Sequence, residues 1–374
     1  MLLIISIFLI LLYGVMILWF AEGISKSSQI FENGKHDPQP MVSVVISARN
    51  EENNIISVIN ALEQQTYPHY LIEILVADDR SRDSTAKILR QLSEININLK
   101  IVTIREIPIG WTSKKWALQS IIRESIGELI LQTDADCHPE KTWVESVVSE
   151  FSDPSIGFVT GPAPLTGHRN YLDDIFEIDS LAQDAFSAGG MAHGLILSCT
   201  GRNMAFRKTV FDSVDGYSEI EHFHSGDDDL LLQKIAKETQ WQIKFCVNPK
   251  CIVESPPPSS VIEFINQRLR FASKGMSYYK LETSNSLKLI LPFLYLVNLF
   301  VVISSLSFIE SASIGFLLPW LFKSIFDAIL SYTFYARLQR KWKLSVFLPS
   351  SFFHPFYVTV FGVLGPFIPI RWKK

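Results

Sequence analysis

Val42-Ser43-Val44-Val45-Ile46-Ser47 is a run of β-branched and apolar residues, closed by the polar turn Ala48–Asn54 and followed by a helical pattern that carries through Leu62. Ile72–Ala77 repeats the run and leads through Asp78–Ser84 into a second helical pattern ending at Leu92. Leu99–Ile104 is a third run, Lys114–Ile122 reads as a helix and Glu128–Gln132 as a fourth strand. Strands alternating with helices predict βαβ units, hence an α/β fold with a mostly parallel sheet and flanking helices. Runs without polar alternation suit strands covered on both faces. In such a sheet ligands sit beyond the carboxyl ends of the strands. Unusual polar residues follow those ends here: Ala48-Arg49-Asn50-Glu51-Glu52, Asp78-Asp79 and Asp134-Ala135-Asp136. There is no GxGxxG and no P-loop signature.

Outward from this middle, the chain turns apolar at both ends. Hydrophobic residues make up 48% of the 374 residues, and the mean hydropathy of +0.20 is high for a water-soluble protein. Leu2–Phe20 carries no charge and matches the roughly 20 residues that span a bilayer core. It lacks a basic leader and is long for a signal peptide, so an uncleaved anchor over residues 1–22 is expected. Leu287–Ile309 and Ile314–Tyr335 read as two further spans within a membrane region covering residues 286–374. Val346–Ile370, with Pro349, Pro355, Pro366 and Pro369, reads either as a third span or as a re-entrant pair. A third span would carry Arg371, Lys373 and Lys374 outside. Lys26 and Lys35 follow the anchor, and Arg337, Arg340, Lys341 and Lys343 follow the second C-terminal span. Both put the middle domain, residues 40–285, on the cytoplasmic side of a multi-pass protein of the cell (inner) membrane. Four cysteines, Cys137, Cys199, Cys246 and Cys251, show no CxxC spacing and are expected to be reduced thiols. A net charge of -4 gives no reason to expect nucleic acid as a partner.

Several residues carry chemistry. Asp134 and Asp136, two apart at a strand end, offer hard oxygen ligands suited to Mg²⁺ or Mn²⁺ on a diphosphate; alone, such a pair is also an ordinary acidic turn. Asp79 and Asp83 are equally good turn and cap residues. Gly226-Asp227-Asp228-Asp229 precedes the helical run Leu230–Ala236, and three adjacent acids exceed what a helix cap needs. Gln267-Arg268-Leu269-Arg270 sits on an amphipathic pattern, Val261–Phe271. Its arginines suit phosphate oxygens or, equally, lipid headgroups. His138, His193, His222 and His224 form no spaced metal pattern.

The order of these elements resembles the membrane-bound branch of family 2 inverting glycosyltransferases with a GT-A fold. Ile46–Glu52 looks like that family's first-strand motif, and Val76–Thr85 like its DDxSxDxT motif. Lys114-Lys115-Trp116-Ala117-Leu118 resembles its KxxAL helix start, and Thr133-Asp134-Ala135-Asp136 its DxD. Thr200-Gly201-Arg202-Asn203-Met204-Ala205-Phe206-Arg207 is similar to the acceptor-side GxNxxxR segment, Gly226-Asp227-Asp228 stands where Gly-Glu-Asp is usual, and Gln267–Phe271 is close to QRxRW. The resemblance covers about Val42–Ala272. It departs from the family at Asp227, in place of Glu, and at Phe271, in place of Trp.

The resemblance implies an in-line displacement at the anomeric carbon of a nucleotide sugar, a UDP-sugar before others, by the hydroxyl of a lipid or lipid-linked glycan acceptor. Asp136 with Asp134 would bind the metal. Ala48, Glu51 and Asp79 would hold the base and ribose, and Lys114 would approach the nucleotide. Asp228 would be the general base, with Gly201, Arg202, Asn203 and Asp227 on the acceptor side. Gln267, Arg268 and Arg270 would close over the diphosphate. Three other readings compete. A processive polysaccharide synthase is disfavoured by Phe271 and the few C-terminal spans, and an inactive membrane-tethered binding protein by the intact acidic set. A transporter would rest on little more than Lys323 and Asp327, one helical turn apart.

Overall fold

The computed structural model describes residues 1–27, 39–167, 169–281 and 283–367. Lys35, Glu282, Arg371, Lys373 and Lys374 lie outside them. In chain order the elements are α1 (Leu2–Lys26), β1 (Val42–Ala48), α2 (Ile55–Glu63), β2 (Ile72–Asp79), α3 (Thr85–Ile95), β3 (Leu99–Ile104), α4 (Ser113–Glu124), β4 (Leu129–Gln132), β5 (His138–Pro139), α5 (Trp143–Glu150), β6 (Ile156–Thr160) and α6 (Tyr171–Met191). They continue with β7 (Met204–Arg207), α7 (Lys208–Ser213), α8 (Asp229–Glu238), β8 (Gln242–Phe245), β9 (Val253–Glu254), α9 (Val261–Ser273), α10 (Ser277–Lys280), α11 (Asn285–Ser311), α12 (Leu318–Arg337) and α13 (Leu344–Leu364). They divide into two compact units.

The first unit, Ser28–Leu165 with Ser198–Pro256, is the α/β domain. Its sheet runs β3-β2-β1-β4-β7-β6-β8. β1, β2, β3 and β4 are mutually parallel, β7 is antiparallel to β4 and to β6, and β8 is parallel to β6. All four strands expected from the sequence are present. β2 and β4 are buried along their whole length, which their mostly apolar residues suit. Val44, Ile46, Val76 and Leu131 pack with Val58, Leu62, Leu89 and Trp143 into one core.

One expectation is corrected here. Cys246 and Cys251 are joined by a disulfide, whereas the sequence reading took all four cysteines as thiols. The chain leaves β8 and turns back through the short helical turn Pro249–Cys251, so two buried residues five apart meet with Cα atoms 6.6 Å apart. Cys137 and Cys199 take no part in a disulfide.

The second unit gathers Met1–Ser27, Thr166–Leu197 and Pro257–Lys374. Among the described residues four helices of this unit, at Leu2–Lys26, Asn285–Ser311, Ile314–Arg337 and Leu344–Leu364, are long and apolar enough to cross a membrane. Of the segment whose prolines left its form open, Leu344–Leu364 is one continuous helix with Pro349 and Pro355 inside it, and residues 368–370 lie outside the described residues. Pro349 removes the N–H that would satisfy the Ser345 carbonyl, and the Tyr171 hydroxyl donates to that carbonyl instead. Some polar groups on these helices pair with one another, which lowers the cost of placing them in hydrocarbon. Lys323 bonds Asp327 at 2.6 Å, and Tyr13 donates to the other Asp327 oxygen at 2.5 Å. Acids along α6 meet basic partners within the unit: Asp173 with Arg169, Asp174 with Lys343, Glu177 with Arg340 and Asp179 with Arg268.

Candidate active site

The sheet register brings the sequence motifs of the α/β domain to one edge. Ala48 pairs with Asp78, and Val45 with Gln132, so the parallel strands β1, β2 and β4 point to the same edge, β4 stopping three residues short of the end of β1. β7 runs the other way and begins at that edge, with Met204 opposite Gln132. Antiparallel entry therefore delivers the segment Thr200–Asn203 beside the carboxyl ends of the parallel strands.

The first two loops are laced into each other. Asn50 adopts a left-handed φ of 56°, which Asn tolerates better than most residues. Its side-chain oxygen accepts from Arg82 N at 2.8 Å, and its own N–H donates to Ser81 Oγ at 3.1 Å. Glu51 N donates to Thr85 Oγ1 at 2.8 Å and Glu52 N to Asp83 Oδ2 at 3.2 Å. Asp83 also accepts from Thr85 N at the start of α3. Burial works to raise the Asp83 carboxyl, but these bonds outweigh it and hold the group below its usual range. Ser81, Asp83 and Thr85 thus shape the loop. Asp79, by contrast, is buried at the strand end. Its carboxylate accepts from Arg80 Nε at 2.8 Å and from Ser113 Oγ at 2.6 Å.

The centre of the site is Lys114, on the first turn of α4. Its Nζ lies 2.8 Å from Asp134 Oδ1 and 3.0 Å from Asp227 Oδ2, so one ammonium ties the DxD segment to the acidic triplet. Burial opposes its charge, yet the two carboxylates more than offset this and hold its pKa well above the usual lysine value. Asp136 is in the opposite situation. Burial first, and the charge of Asp134 second, raise its carboxyl, with Arg202 working against them. The neighbouring Cys137 thiol is pushed up by burial and then by Asp134 and Asp136, so it is not a thiolate nucleophile.

The acidic triplet divides its work. Gly226 turns the chain at φ 85°, where a Cβ would also lie 2.5 Å from Leu230. Asp227 then reaches Lys114. Asp229 is buried, and its Oδ1 accepts from Ser198 Oγ at 2.7 Å and Cys199 N at 2.9 Å. Asp228 is only half-buried; it caps α8 through Asp229 N at 2.7 Å and accepts from Gly201 N at 3.1 Å. The approach at Gly201 is close: an added Cβ would sit 3.1 Å from Asp227 Oδ2 and 3.2 Å from Gln132 Nε2, so these side chains would have to shift by a few tenths of an ångström. Arg202 donates to Thr200 Oγ1 and Ser255 Oγ. Asn203 is buried and fully engaged, accepting from Trp143 Nε1 at 2.9 Å and donating to the Pro162 and Cys251 carbonyls.

Three further residues escaped the sequence reading. Gln132, on β4, donates to the Gly201 carbonyl at 3.3 Å and accepts from the Tyr217 hydroxyl at 3.3 Å. Tyr217 is held protonated by burial and by Asp227 and Asp228. Lys115 is buried, and its ammonium donates to the carbonyls of Ile220, Phe223 and Ser225 at 2.8, 2.6 and 3.2 Å. Residue type alone does not separate it from its neighbour Lys114. Gln267, Arg268 and Arg270 belong to the other unit, on α9. There Arg268 is buried, pairs with Asp179 and lies over the Phe264 ring at 4.8 Å.

Among the described residues no three His, Cys, Asp or Glu side chains come together as a metal site. Asp134 and Asp136 fit a divalent cation that takes its other ligands from a diphosphate and water, as Mg²⁺ does. Asp136, raised by burial and a like charge, is the carboxylate such a cation would relieve.

Residues 43–214 match the family described as glycosyl transferase family 2. The chain is 35% identical over 127 residues to the glycosyltransferase AglE of Haloferax volcanii, covering 34% of this chain and 40% of that one. It is 28% identical over 243 residues to the beta-monoglucosyldiacylglycerol synthase of a Synechocystis strain, covering 65% of this chain and 49% of that one. The chain thus spans about half the length, or less, of these relatives. Among solved structures, the mannosyltransferase PcManGT from Pyrobaculum calidifontis, in complex with GDP-Man and Mn²⁺, aligns with a TM-score of 0.60 at 18% identity, over 98% of this chain and 99% of that one. At that identity the likeness is one of fold: the GT-A arrangement.

Proposed function

We propose that this chain, whose residues 43–214 belong to glycosyl transferase family 2, moves a sugar from a nucleoside diphosphate to a hydroxyl acceptor at a membrane, with inversion. The observation that carries the reading is the Lys114 bridge, 2.8 Å to Asp134 and 3.0 Å to Asp227. It joins the carboxylates suited to a donor diphosphate to those suited to an acceptor, at the edge where such sheets bind ligands.

In this reading Asp79 and the interlaced turn at Ala48–Glu51 receive the nucleoside. Asp136 and Asp134 would hold a divalent metal, which when bound would offset charge on the departing diphosphate. Lys114 trades one carboxylate for a phosphate oxygen as donor enters. Asp228, the half-buried member of the triplet, takes the acceptor proton while Gly201 N–H orients its carboxylate. Asp227 and Gln132 hold Gly201 and Lys114 in register, and Arg202 and Asn203 brace the acceptor-side loop. A single base and no covalent intermediate give inversion.

A lipid or lipid-linked acceptor is supported by the four membrane-length helices and by the lipid product named for the Synechocystis relative. The basic run Arg337–Lys343 between the last two of those helices argues for a cytoplasmic catalytic domain in the cell membrane. The test is nucleotide binding by calorimetry to the full chain in detergent, with UDP and GDP as probes. Binding of one nucleotide should need Mn²⁺ or Mg²⁺, fail in excess EDTA and fall at least about tenfold in Asp136→Ala. Metal-independent binding, or an unchanged Asp136→Ala, would refute the metal assignment.

A further inference from the structure

We infer that Lys115 is a positioning residue for Asp228, acting through the main chain of the loop that precedes it. The inference rests on Asp228 being the base. Lys114 and Lys115 are consecutive on α4, so their side chains leave the helix about 100° apart. One goes to the carboxylates and the other into the domain interior.

The Lys115 ammonium has three N–H groups, and the carbonyls of Ile220, Phe223 and Ser225 converge on it. These carbonyls come from a turning segment, in which Ile220 N bonds Tyr217 O and Phe223 N bonds Ile220 O. The last carbonyl belongs to the peptide linking Ser225 to Gly226. Lys115 therefore grips the chain one peptide before the left-handed glycine that aims Asp227 at Lys114 and Asp228 at the Gly201 N–H.

The rest of α4 supports the same segment. Thr112 N bonds Glu221 O at 2.9 Å, and Gln119 Oε1 accepts from Tyr217 N at 3.0 Å. Three points of attachment fix both position and direction of entry into Gly226. A neutral side chain there would leave the carbonyls to find other partners and free the segment to rotate. The groups that do the chemistry would remain present but displaced, and displacement of about 1 Å costs on the order of 100-fold in rate.

The test is a double-mutant cycle on the full chain. UDP-glucose, UDP-N-acetylglucosamine and GDP-mannose are offered with total membrane lipid, and the donor that turns over is carried forward. Nucleotide binding stoichiometry by calorimetry counts competent sites, so each rate is expressed per folded site. Lys115→Met should bind nucleotide within about threefold of wild type and transfer about 100-fold more slowly. Lys115→Arg should regain about tenfold of that loss. In the Asp228→Asn background Lys115→Met should cost less than about threefold more, because both changes remove the same function. If Lys115→Met binds no nucleotide, the cycle is run with Lys115→Arg, whose planar fork cannot meet all three carbonyls; its loss of about tenfold should likewise vanish in Asp228→Asn. Wild-type transfer per competent site, or losses that multiply in the double variant, would overturn the inference. An Asp228→Asn variant that transfers normally would remove the reading beneath it, and the inference with it.

Discussion

Replacing Asp228 or Asp229 by Asn separates chemistry from architecture, because the structure gives these neighbours different work. Asp228 is half-buried and caps α8 through Asp229 N. Asn is as good a cap as Asp, so Asp228→Asn loses only the charge assistance of the Gly201 N–H bond and should melt within about 2–4 °C of wild type. What it loses is basicity, and a positioned base contributes typically 10²–10⁴-fold in rate, or about 2.7–5.4 kcal/mol. Asp229 is buried and accepts from Ser198 Oγ and Cys199 N. Asp229→Asn keeps an acceptor but turns two charge-assisted bonds into neutral ones, each worth about 1 kcal/mol less. At about 2–4 °C per kcal/mol for a domain of this size, it should melt roughly 4–8 °C lower while keeping transfer within about tenfold. The assay pairs thermal melting with transfer rate per nucleotide-binding site. An inactive Asp229→Asn of wild-type stability beside an active Asp228→Asn would refute the assignment.

Other outcomes follow from the same geometry. Glu73 on β2 is buried, and burial works to raise its carboxyl, but bonds from Lys100, Ser43 and Ile126 N outweigh this and hold it below the usual range. A depressed carboxylate contributes stability above its unfolded pKa and loses it as pH falls through the folded value. Glu73→Gln should therefore melt about 2–6 °C low at pH 7, with the gap closing toward pH 3 by scanning fluorimetry. With Cys137 and Cys199 replaced by Ser, a cysteine at the fully exposed Ile97 should resist an impermeant maleimide in intact cells and react after permeabilisation. Alkylation of the wild-type chain under denaturing conditions should modify two cysteines before reduction and four after it, given the 246–251 bridge. Such bridges are rare in the cytosol, so this count and the Ile97→Cys labelling are best made on the same membranes.

Much of the architecture was legible because burial on both faces leaves a plain signature. β1 and β4 are apolar along most of their length and β2 carries only Glu73 before its terminal acids, whereas β3 is exposed at Lys100 and Thr103; the acids after β1, β2 and β4 could be assigned to one sheet edge by parallel topology. β7 was not legible in that way. Its direction is set by pairing with β4 and β6, and only that pairing explains why Gly201 meets Asp227 and Asp228. Lys114 and Lys115 are the same residue type side by side, and helix rotation alone gives them different partners. The Cys246–Cys251 pair depends on a tight return after β8 that spacing does not announce. Arg268 finds Asp179 on α6, a helix far upstream whose acids match basic residues scattered over α9 and the segment after α12. Such matching is visible only once the helices are packed.

The central claim is sugar transfer from a nucleotide donor at the Asp134–Asp136–Lys114–Asp228 site. The most direct measurement incubates the purified full-length chain with Mn²⁺, membrane lipid and each of a panel of radiolabelled nucleotide sugars, followed by organic extraction and analysis of the new glycosidic bond. The expected result is one donor yielding a single labelled lipid-extractable product of inverted anomeric configuration, absent with Asp136→Ala and Asp228→Asn. Retained configuration, or a product that forms equally well in both variants, would contradict the account.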